Sequence, residues 1–343
     1  MSKSTRISYG IMATLLVLIG WLHMATLVLM ALFGYFALNF LSFGRSKALG
    51  VALYLIVVGA IGYGLFFFSR EAYKTLPEIA DTTIPAVVNF AEKRSIELPF
   101  TDYASAKTLA LQEVKDRLAN LGRYAREATL QVAMLIIGLV VAISLFINAK
   151  WEVDDDPDAV KDSLYATVVR ELVLRFKTFY GSFARVIGAQ IIISAINTAL
   201  TAVFLLWNGF PYTTVIIVLT FLCGLLPIIG NILSNTLIVG VAFTISPRMA
   251  LAALVFLVVI HKLEYFLNSK IIGDRIKNPM WLTLIGLVVG EKLMGIPGMI
   301  LAPVVLHYIK VEASRNKMNE GGADSAGPSE PARKPDATSM SQS

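Results

Sequence analysis

The 343-residue chain is poor in charge, in cysteine and in histidine. Charged residues make up 16% of it, against about 25% in an ordinary soluble domain, while 56% are hydrophobic. The single cysteine, Cys223, excludes an internal disulfide and a cysteine metal cluster. There are three histidines and no H-E-x-x-H, G-x-S-x-G or P-loop motif, so no enzyme class or ATP-driven pump is indicated. We therefore expect a protein that is not an enzyme and holds no cofactor and no metal.

Long uncharged runs take the place of the missing charge. Several exceed the roughly 18 residues that indicate a membrane-spanning helix, and mean hydropathy is +0.68. The basic residues lie between these runs rather than in one patch, so the net charge of +6 fits membrane topology and argues against nucleic acid as a partner. The sequence predicts an all-α integral membrane protein with about eight transmembrane helices, both termini cytoplasmic, and a retained N-terminal apolar segment.

The hydropathy pattern divides the chain into six segments. We predict N-terminal transmembrane helices (a hairpin and a third span) over 1–68, an extracytoplasmic helical insertion over 69–128, a fourth span over 129–149, a cytoplasmic amphipathic helix over 150–183, a C-terminal transmembrane core with two hairpins over 184–311, and a disordered cytoplasmic tail over 312–343.

The predicted insertion contains a heptad-like pattern. Seven positions from Ala104 to Ala125 recur at alternating spacings of three and four, and Glu113 and Arg117 are placed to pair at i,i+4. Two interpretations stay open. The segment is either an amphipathic helix lying on its own protein or a surface through which subunits associate.

Helix-breaking residues interrupt the apolar runs of the C-terminal core. The run over 271–310 contains adjacent charges and then prolines, and the run over 212–245 has a similar break at its middle. Backbone interrupted inside a membrane is tolerated only where protein or water covers it, as in transporter hairpins. The predicted break or hinge positions are Gly224, Pro227, Gly230, Gly290, Gly295, Pro297, Gly298 and Pro303.

One face of the span before the last hairpin carries polar side chains. His261, Glu264 and Asn268 stand at i, i+3 and i+7, so they share a helical face, while Lys262 points elsewhere. Ionisable groups inside a membrane are costly unless paired or hydrated, and they mark candidate functional sites. The alternative is that His261 and Lys262 reach the cytoplasmic interface, because a basic loop follows closely.

Glu291 and Lys292 form a second ionisable candidate, at the tip of the terminal hairpin. Neighbouring residues on a helix diverge by roughly 100°, so the two need not pair with each other. Lys292 is expected to meet Glu264, or Glu291 to meet Arg185 or Lys262. Such a contact is either a structural ion pair between helices or a carboxylate that binds and releases a proton or cation.

Three sequence blocks of the second half resemble the autoinducer-2 exporter family, the PerM-type permeases or AI-2E family transporters. The blocks are Gly224-Leu-Leu-Pro227-Ile-Ile-Gly230, Glu264-x3-Asn268-x3-Ile272-Gly273 and Gly290-x4-Gly295-x2-Gly298-x4-Pro303. The resemblance implies a bacterial inner-membrane protein that oligomerises. It also implies export of a small signalling molecule, as in some members, or sodium or lithium/proton antiport, as in others. Ser269-Lys270 and Asn231 stand where the family often has proline.

These patterns favour a secondary transporter, with the lipid bilayer, a small-molecule or ion substrate and a homo-oligomer as its partners. The residues predicted to line or gate the path are Glu264, Asn268, Glu291, Lys292 and His261. Two rival hypotheses remain: a passive oligomeric channel built from the same helices, and a membrane scaffold that transports nothing.

Overall fold

A computed structural model describes residues 2–42, 46–94, 121–148, 163–226, 229–272 and 279–323. Within these ranges the chain forms helices joined by short turns, and no strand. The helices are α1 Lys3–Trp21, α2 Ala25–Leu41, α3 Lys47–Glu92, α4 Leu121–Asn148, α5 Leu164–Trp207, α6 Thr213–Gly224, α7 Ile229–Ile245, α8 Pro247–Ile272 and α9 Met280–Ala323. In the described part, six of them are long and apolar enough to cross a membrane, which confirms the all-α membrane class.

Serine residues set the starts of three helices. The side chains of Ser2, Ser46 and Ser163 accept hydrogen bonds from backbone N–H groups of the first turns of α1, α3 and α5. Such N-caps satisfy donors that have no partner inside the helix. These helix starts are therefore determined by local sequence.

Helix α5 is the central element of the bundle. It contacts α1, α2, α6, α8 and α9, and its buried residues recur along most of its length. Toward the end of α5, Leu205 joins a core with Ile216 of α6, Ile238 of α7 and Ala253 of α8. Earlier in α5, Phe183 joins a second core formed with α1, α2 and α9. One helix thus connects the N-terminal and C-terminal parts.

The start of α1 lies at the same end of the bundle as the part of α9 around Glu312. The Tyr9 hydroxyl of α1 donates to Glu312 of α9 over 2.7 Å. We call this end the terminal end. At the opposite end of α5 lie the α5–α6 turn and the α7–α8 junction, where Phe210 and Ala250 share one core.

Much of the surface is apolar, as a lipid-facing surface requires. Only 6% of the most hydrophobic window of α3 is buried, and large aliphatic side chains are exposed on all the long helices. Trp21, Trp207 and Trp281 lie at helix ends and are 62–87% exposed. Tryptophan is enriched at membrane–water interfaces, so this placement is typical of a membrane-embedded bundle.

Helix α3 is longer than the sequence predicts. The third span was expected to end at 68 and a separate extracytoplasmic helical insertion to follow over 69–128, but one helix continues through Pro77 and Pro85 to Glu92. Its second half buries Ile79 and Val88, and Phe90 contacts Phe243 of α7 with ring centroids 5.0 Å apart. A stripe of apolar contacts at helical spacing outweighs the polar composition and the two prolines.

Two more predicted boundaries differ from those in the structure. The amphipathic helix and the fifth span are one helix, α5, from Leu164 onward. Helix α9 runs to Ala323, so the predicted tail over 312–343 is helical at its start, where Glu312 is buried and accepts from Tyr9 of α1. Residues 104–120 of the heptad-like pattern, Pro227, and the tail from 324 lie outside the described residues.

Candidate functional site

Glu264 is a half-buried carboxylate held by two amides. The side chain of Asn231 on α7 donates to Glu264 Oε2 over 2.7 Å, and Asn197 on α5 donates to the same oxygen over 3.4 Å. A carboxylate in an apolar bundle is costly unless it is hydrogen-bonded. Three helices therefore converge on one negative charge.

The two amides are brought to Glu264 by a broken hairpin. Helix α6 has 12 residues and α7 has 17, fewer than the roughly 20 that a span requires, so the chain reverses partway through the bundle. Asn231 lies in the first turn of α7, next to Glu264. Because the positive end of a helix dipole favours an anion, the reversal itself helps to stabilise the carboxylate.

Side chains of α5 support the tip of this hairpin. Gln190 donates to the carbonyl of Gly224, and Ser194 donates to the carbonyl of Phe221 over 2.9 Å. Carbonyls at the end of a helix have no partner within it, so these two bonds satisfy α6 where it stops. The tip is thereby fixed against α5 at the level of Asn197.

Glycine is required where the arms of the hairpin meet. A Cβ atom on Gly230 would overlap the carbonyl of Cys223, and one on Gly224 would overlap the Ser194 hydroxyl. Backbone and side chain approach more closely here than any larger residue permits. The spacing of these glycines follows from the geometry of the reversal.

Two cavities meet at Glu264. The larger, of about 1000 Å³, lies between α3, α7, α8 and the start of α9. The smaller, of about 20 Å³, lies between α5, α6, α7 and α8, and a single water needs roughly 10–15 Å³. The residues that line both are Asn231, Asn235, Leu257, His261 and Glu264.

The smaller cavity is lined mainly by oxygen-bearing side chains. Thr201, Thr220 and Ser234 face it together with Asn197 and Glu264. Asn197 is 9% exposed and its Oδ1 has no hydrogen-bond partner among the described residues. A buried carbonyl oxygen of this kind is an acceptor for a bound water, cation or substrate hydroxyl.

Comparison with known proteins also indicates a membrane transport protein. The sequence profile of the AI-2E family transporter matches residues 7–314. The chain belongs to the AI-2E transporter family. It is also similar to the "Putative transport protein YdbI" of Bacillus subtilis (strain 168), with 26% identity over 211 residues, which are 58% of this chain and 60% of that relative. Both names describe transport rather than catalysis.

The three sequence blocks that resemble the AI-2E transporter family lie in or beside the hairpins. Gly224 and Gly230 stand at the tip between α6 and α7, and Glu264 contacts that tip from α8. His261 is exposed and lines both cavities beside Glu264, so these two predicted residues do share a face. The side chain of Asn268 lies outside the described part of the chain.

The third block forms a second hairpin within α9, which we call the terminal hairpin. The backbone turns at Gly295, with φ 64° and ψ −148°, and Gly290 and Gly298 touch backbone to backbone across the two arms. Pro297 and Pro303 lie in the outgoing arm. The predicted break in this segment is therefore a tight reversal.

Glu291 and Lys292 do not meet the partners that the sequence led us to expect. Their charged atoms lie 3.9 Å apart, and the side chains are 49% and 79% exposed. The hypothesis that Lys292 meets Glu264, or that Glu291 meets Arg185 or Lys262, is replaced by a pair between neighbours. The reason is that the terminal hairpin packs mainly against α1, α2 and α5 rather than against α8.

Asn197, one of the two partners of Glu264, belongs to a polar pattern on α5 that the sequence already shows. Gln190, Ser194, Asn197 and Thr201 recur at i, i+4, i+7 and i+11 in an otherwise apolar stretch of α5. That spacing places a polar stripe on one face of a spanning helix.

In the described part of the chain, no group of three His, Cys, Asp or Glu side chains could hold a metal ion.

Proposed function

We propose that this chain is a secondary transporter that moves a small polar solute, such as a signalling molecule, or exchanges a cation for protons. The observation that carries the proposal is Glu264, a carboxylate held by the tip of a broken hairpin and facing two cavities. Family membership supports transport as the activity.

The hydrogen bonds to Glu264 leave it able to bind something else. Both amides donate to Oε2, so Oε1 is the oxygen that a proton, a cation or a substrate hydroxyl would use. The oxygen-rich small cavity has room for one ion or water, and the larger cavity has room for a small solute. Competition for one carboxylate is a simple way to couple two fluxes.

Purified protein in proteoliposomes provides the test. An imposed pH gradient is followed with a pH-sensitive dye while Na⁺ or Li⁺ is added, and uptake of a panel of labelled small polar solutes is measured alongside. We expect Glu264→Gln to reduce coupled flux by at least about tenfold, because the neutral amide releases no proton and lacks the negative charge that attracts a cation. Asn231→Leu should give a smaller reduction by leaving the carboxylate with a weaker partner.

Glu291→Gln is the matched control, because it neutralises an exposed carboxylate on another helix. If Glu264→Gln carries wild-type flux with a wild-type pH profile, the role of Glu264 is refuted. If both variants lose flux equally, the path includes the terminal hairpin, as the sequence first indicated.

The rival functions give different outcomes in the same vesicles. A passive channel dissipates a gradient but never accumulates solute against one, whereas a coupled carrier does. A membrane scaffold gives no flux as purified protein. The exposed Glu291–Lys292 pair lies about 17 Å along the first arm of α9, at 1.5 Å per residue. Charge at such a position needs cover, which supports a homo-oligomer.

The proposed location is the inner membrane of a bacterium, with both termini in the cytoplasm. Lys3 and Arg6 begin α1, and Lys47 begins α3 and donates to the Ile147 carbonyl at the end of α4. Basic residues gathered at one end of a helical bundle favour the cytoplasmic side.

A further inference from the structure

A second buried charged network lies at the terminal end, away from Glu264. Arg175 of α5 and Glu312 of α9 are each only 4% exposed. The Arg175 guanidinium lies 4.0 Å from the centroid of the Tyr9 ring, and the Tyr9 hydroxyl donates to Glu312 Oε2 over 2.7 Å. Tyr9 therefore joins a cation on one helix to an anion on another.

Further contacts of this network are on the same three helices. Arg175 Nη1 pairs with Glu171 Oε2 at 3.0 Å, one turn earlier on α5. Phe179, one turn later, meets the Tyr308 ring of α9 edge to face at 5.5 Å between centroids. The network thus fastens the start of α1 and the outgoing arm of the terminal hairpin to α5.

The hydrogen-bonding capacity of the network is not used up in this conformation. Arg175 Nε, Glu312 Oε1 and the Tyr308 hydroxyl are buried and have no partner among the described residues. Buried charges rarely add net stability relative to apolar side chains, whereas losing one partner is costly. Such a network adds little permanent stability, but it can break and re-form readily. The reason is that its charged groups regain hydration when water reaches them.

We propose that Tyr9, Arg175 and Glu312 form a latch that closes the terminal end of the bundle and opens as a unit. When it opens, α1 and the outgoing arm of α9 separate from α5, and the charged groups become hydrated. The prolines and the Gly295 turn of the terminal hairpin allow that arm to move without unfolding. The latch is independent of what the protein transports, so its test does not rest on the proposed function.

A buried serine on α5 can report the opening. Ser182 is 2% exposed and lies two turns beyond Arg175 on the buried face of α5. In a Cys223→Ser background, Ser182→Cys is the single thiol. Its rate of reaction with N-ethylmaleimide in proteoliposomes, relative to the rate in detergent-denatured protein, measures how often the terminal end opens.

Two tyrosines make a matched pair of variants. Tyr9→Phe removes the hydroxyl that binds Glu312 but keeps the ring under Arg175, whereas Tyr308→Phe removes a hydroxyl with no partner. We expect Tyr9→Phe to speed labelling of Ser182→Cys by about tenfold or more, since a hydrogen bond to a charged group is lost. Tyr308→Phe should stay within about twofold of the parent. Glu312→Gln should act like Tyr9→Phe and replaces it if that variant aggregates.

Native Cys223 distinguishes a latch from general loosening. It is 7% exposed and lies at the α6–α7 tip. This tip contacts α5 at Ser194, far from Arg175. Each variant is also made in the chain that keeps Cys223 and Ser182, and labelling of Cys223 should remain within about twofold. The proposal is overturned if both tyrosine variants label Ser182→Cys at the same rate, or if Cys223 becomes reactive in parallel.

Discussion

Single residues decide whether a charge can stand inside this bundle. Glu264 is tolerated because Asn231 and Asn197 donate to it and because it lies beside the first turn of α7. Asn197 in turn has an oxygen without a partner in the described part of the chain. The carboxyl group thus has two hydrogen-bond donors, and the site still has acceptor oxygens left for a ligand.

At this scale Gly230 gives a sharp prediction. Gly230→Ala should lower the free energy of unfolding by about 1–3 kcal/mol, because the new methyl group overlaps the Cys223 carbonyl and the backbone must move. Thermal unfolding in detergent, followed by size-exclusion chromatography, measures the change. Gly59→Ala is the control, since no atom lies within 4 Å of its Cβ position, and it should be neutral or slightly stabilising. Equal melting of the two variants would refute the close contact at the hairpin tip.

At the scale of helices and hairpins, the same construction occurs twice. The α6–α7 hairpin and the terminal hairpin both reverse partway through the bundle. In the first, Gly230 lets the arms touch at Cys223, and in the second the pair Gly290 and Gly298 does so. The first hairpin holds Glu264, while the second packs on α1, α2 and α5. The two hairpins therefore share a geometry but contact different parts of the bundle.

The terminal hairpin depends on an unusual backbone conformation at Gly295. Its φ of 64° and ψ of −148° are in a region that residues other than glycine occupy only at a cost of about 1–3 kcal/mol. We expect Gly295→Ala to lower thermal stability by a corresponding amount, measured as for Gly230. Gly64→Ala, with no atom within 4 Å, serves as control. An unchanged melting temperature for Gly295→Ala would mean that the arms are joined by a different turn.

Element boundaries show where sequence reasoning succeeded and where it did not. The breaks near Gly224 and Gly295 were predictable because proline, glycine and charge interrupt apolar runs. The extension of α3 to Glu92 and of α9 to Ala323 was not, because their composition is polar. The second half of α3 is buried against α7, and α9 is buried at Glu312, where Tyr9 of α1 donates to it; composition does not reveal these contacts.

At the scale of the whole molecule, α5 joins two distinct regions. Arg175 of α5 belongs to the latch, and Asn197, about 33 Å further along at 1.5 Å per residue, donates to Glu264. A carrier has to open one side while its binding site stays formed. The separation of latch and site along one helix fits that requirement.

Orientation in the membrane gives a whole-molecule prediction. With cytoplasmic termini, a membrane-impermeant thiol reagent should label Arg248→Cys, at the α7–α8 junction, on intact cells of an expressing bacterium. It should label Ser2→Cys only after the membrane is permeabilised. Both variants carry Cys223→Ser, and Arg248 is exposed in the fold. The reverse pattern of labelling would place the latch on the outside.

Local chemistry along the chain was enough to predict a membrane-embedded helical protein, its broken hairpins and Glu264 as a candidate site residue. Runs of apolar residues, helix breakers and an isolated carboxylate constrain the local structure whichever segments become their neighbours. The partners of Glu264, the pairing of Glu291 with Lys292, and the Tyr9–Arg175–Glu312 network depend on which helices become neighbours. That choice is made by packing between segments as much as 303 residues apart, and it becomes visible only when the bundle has formed.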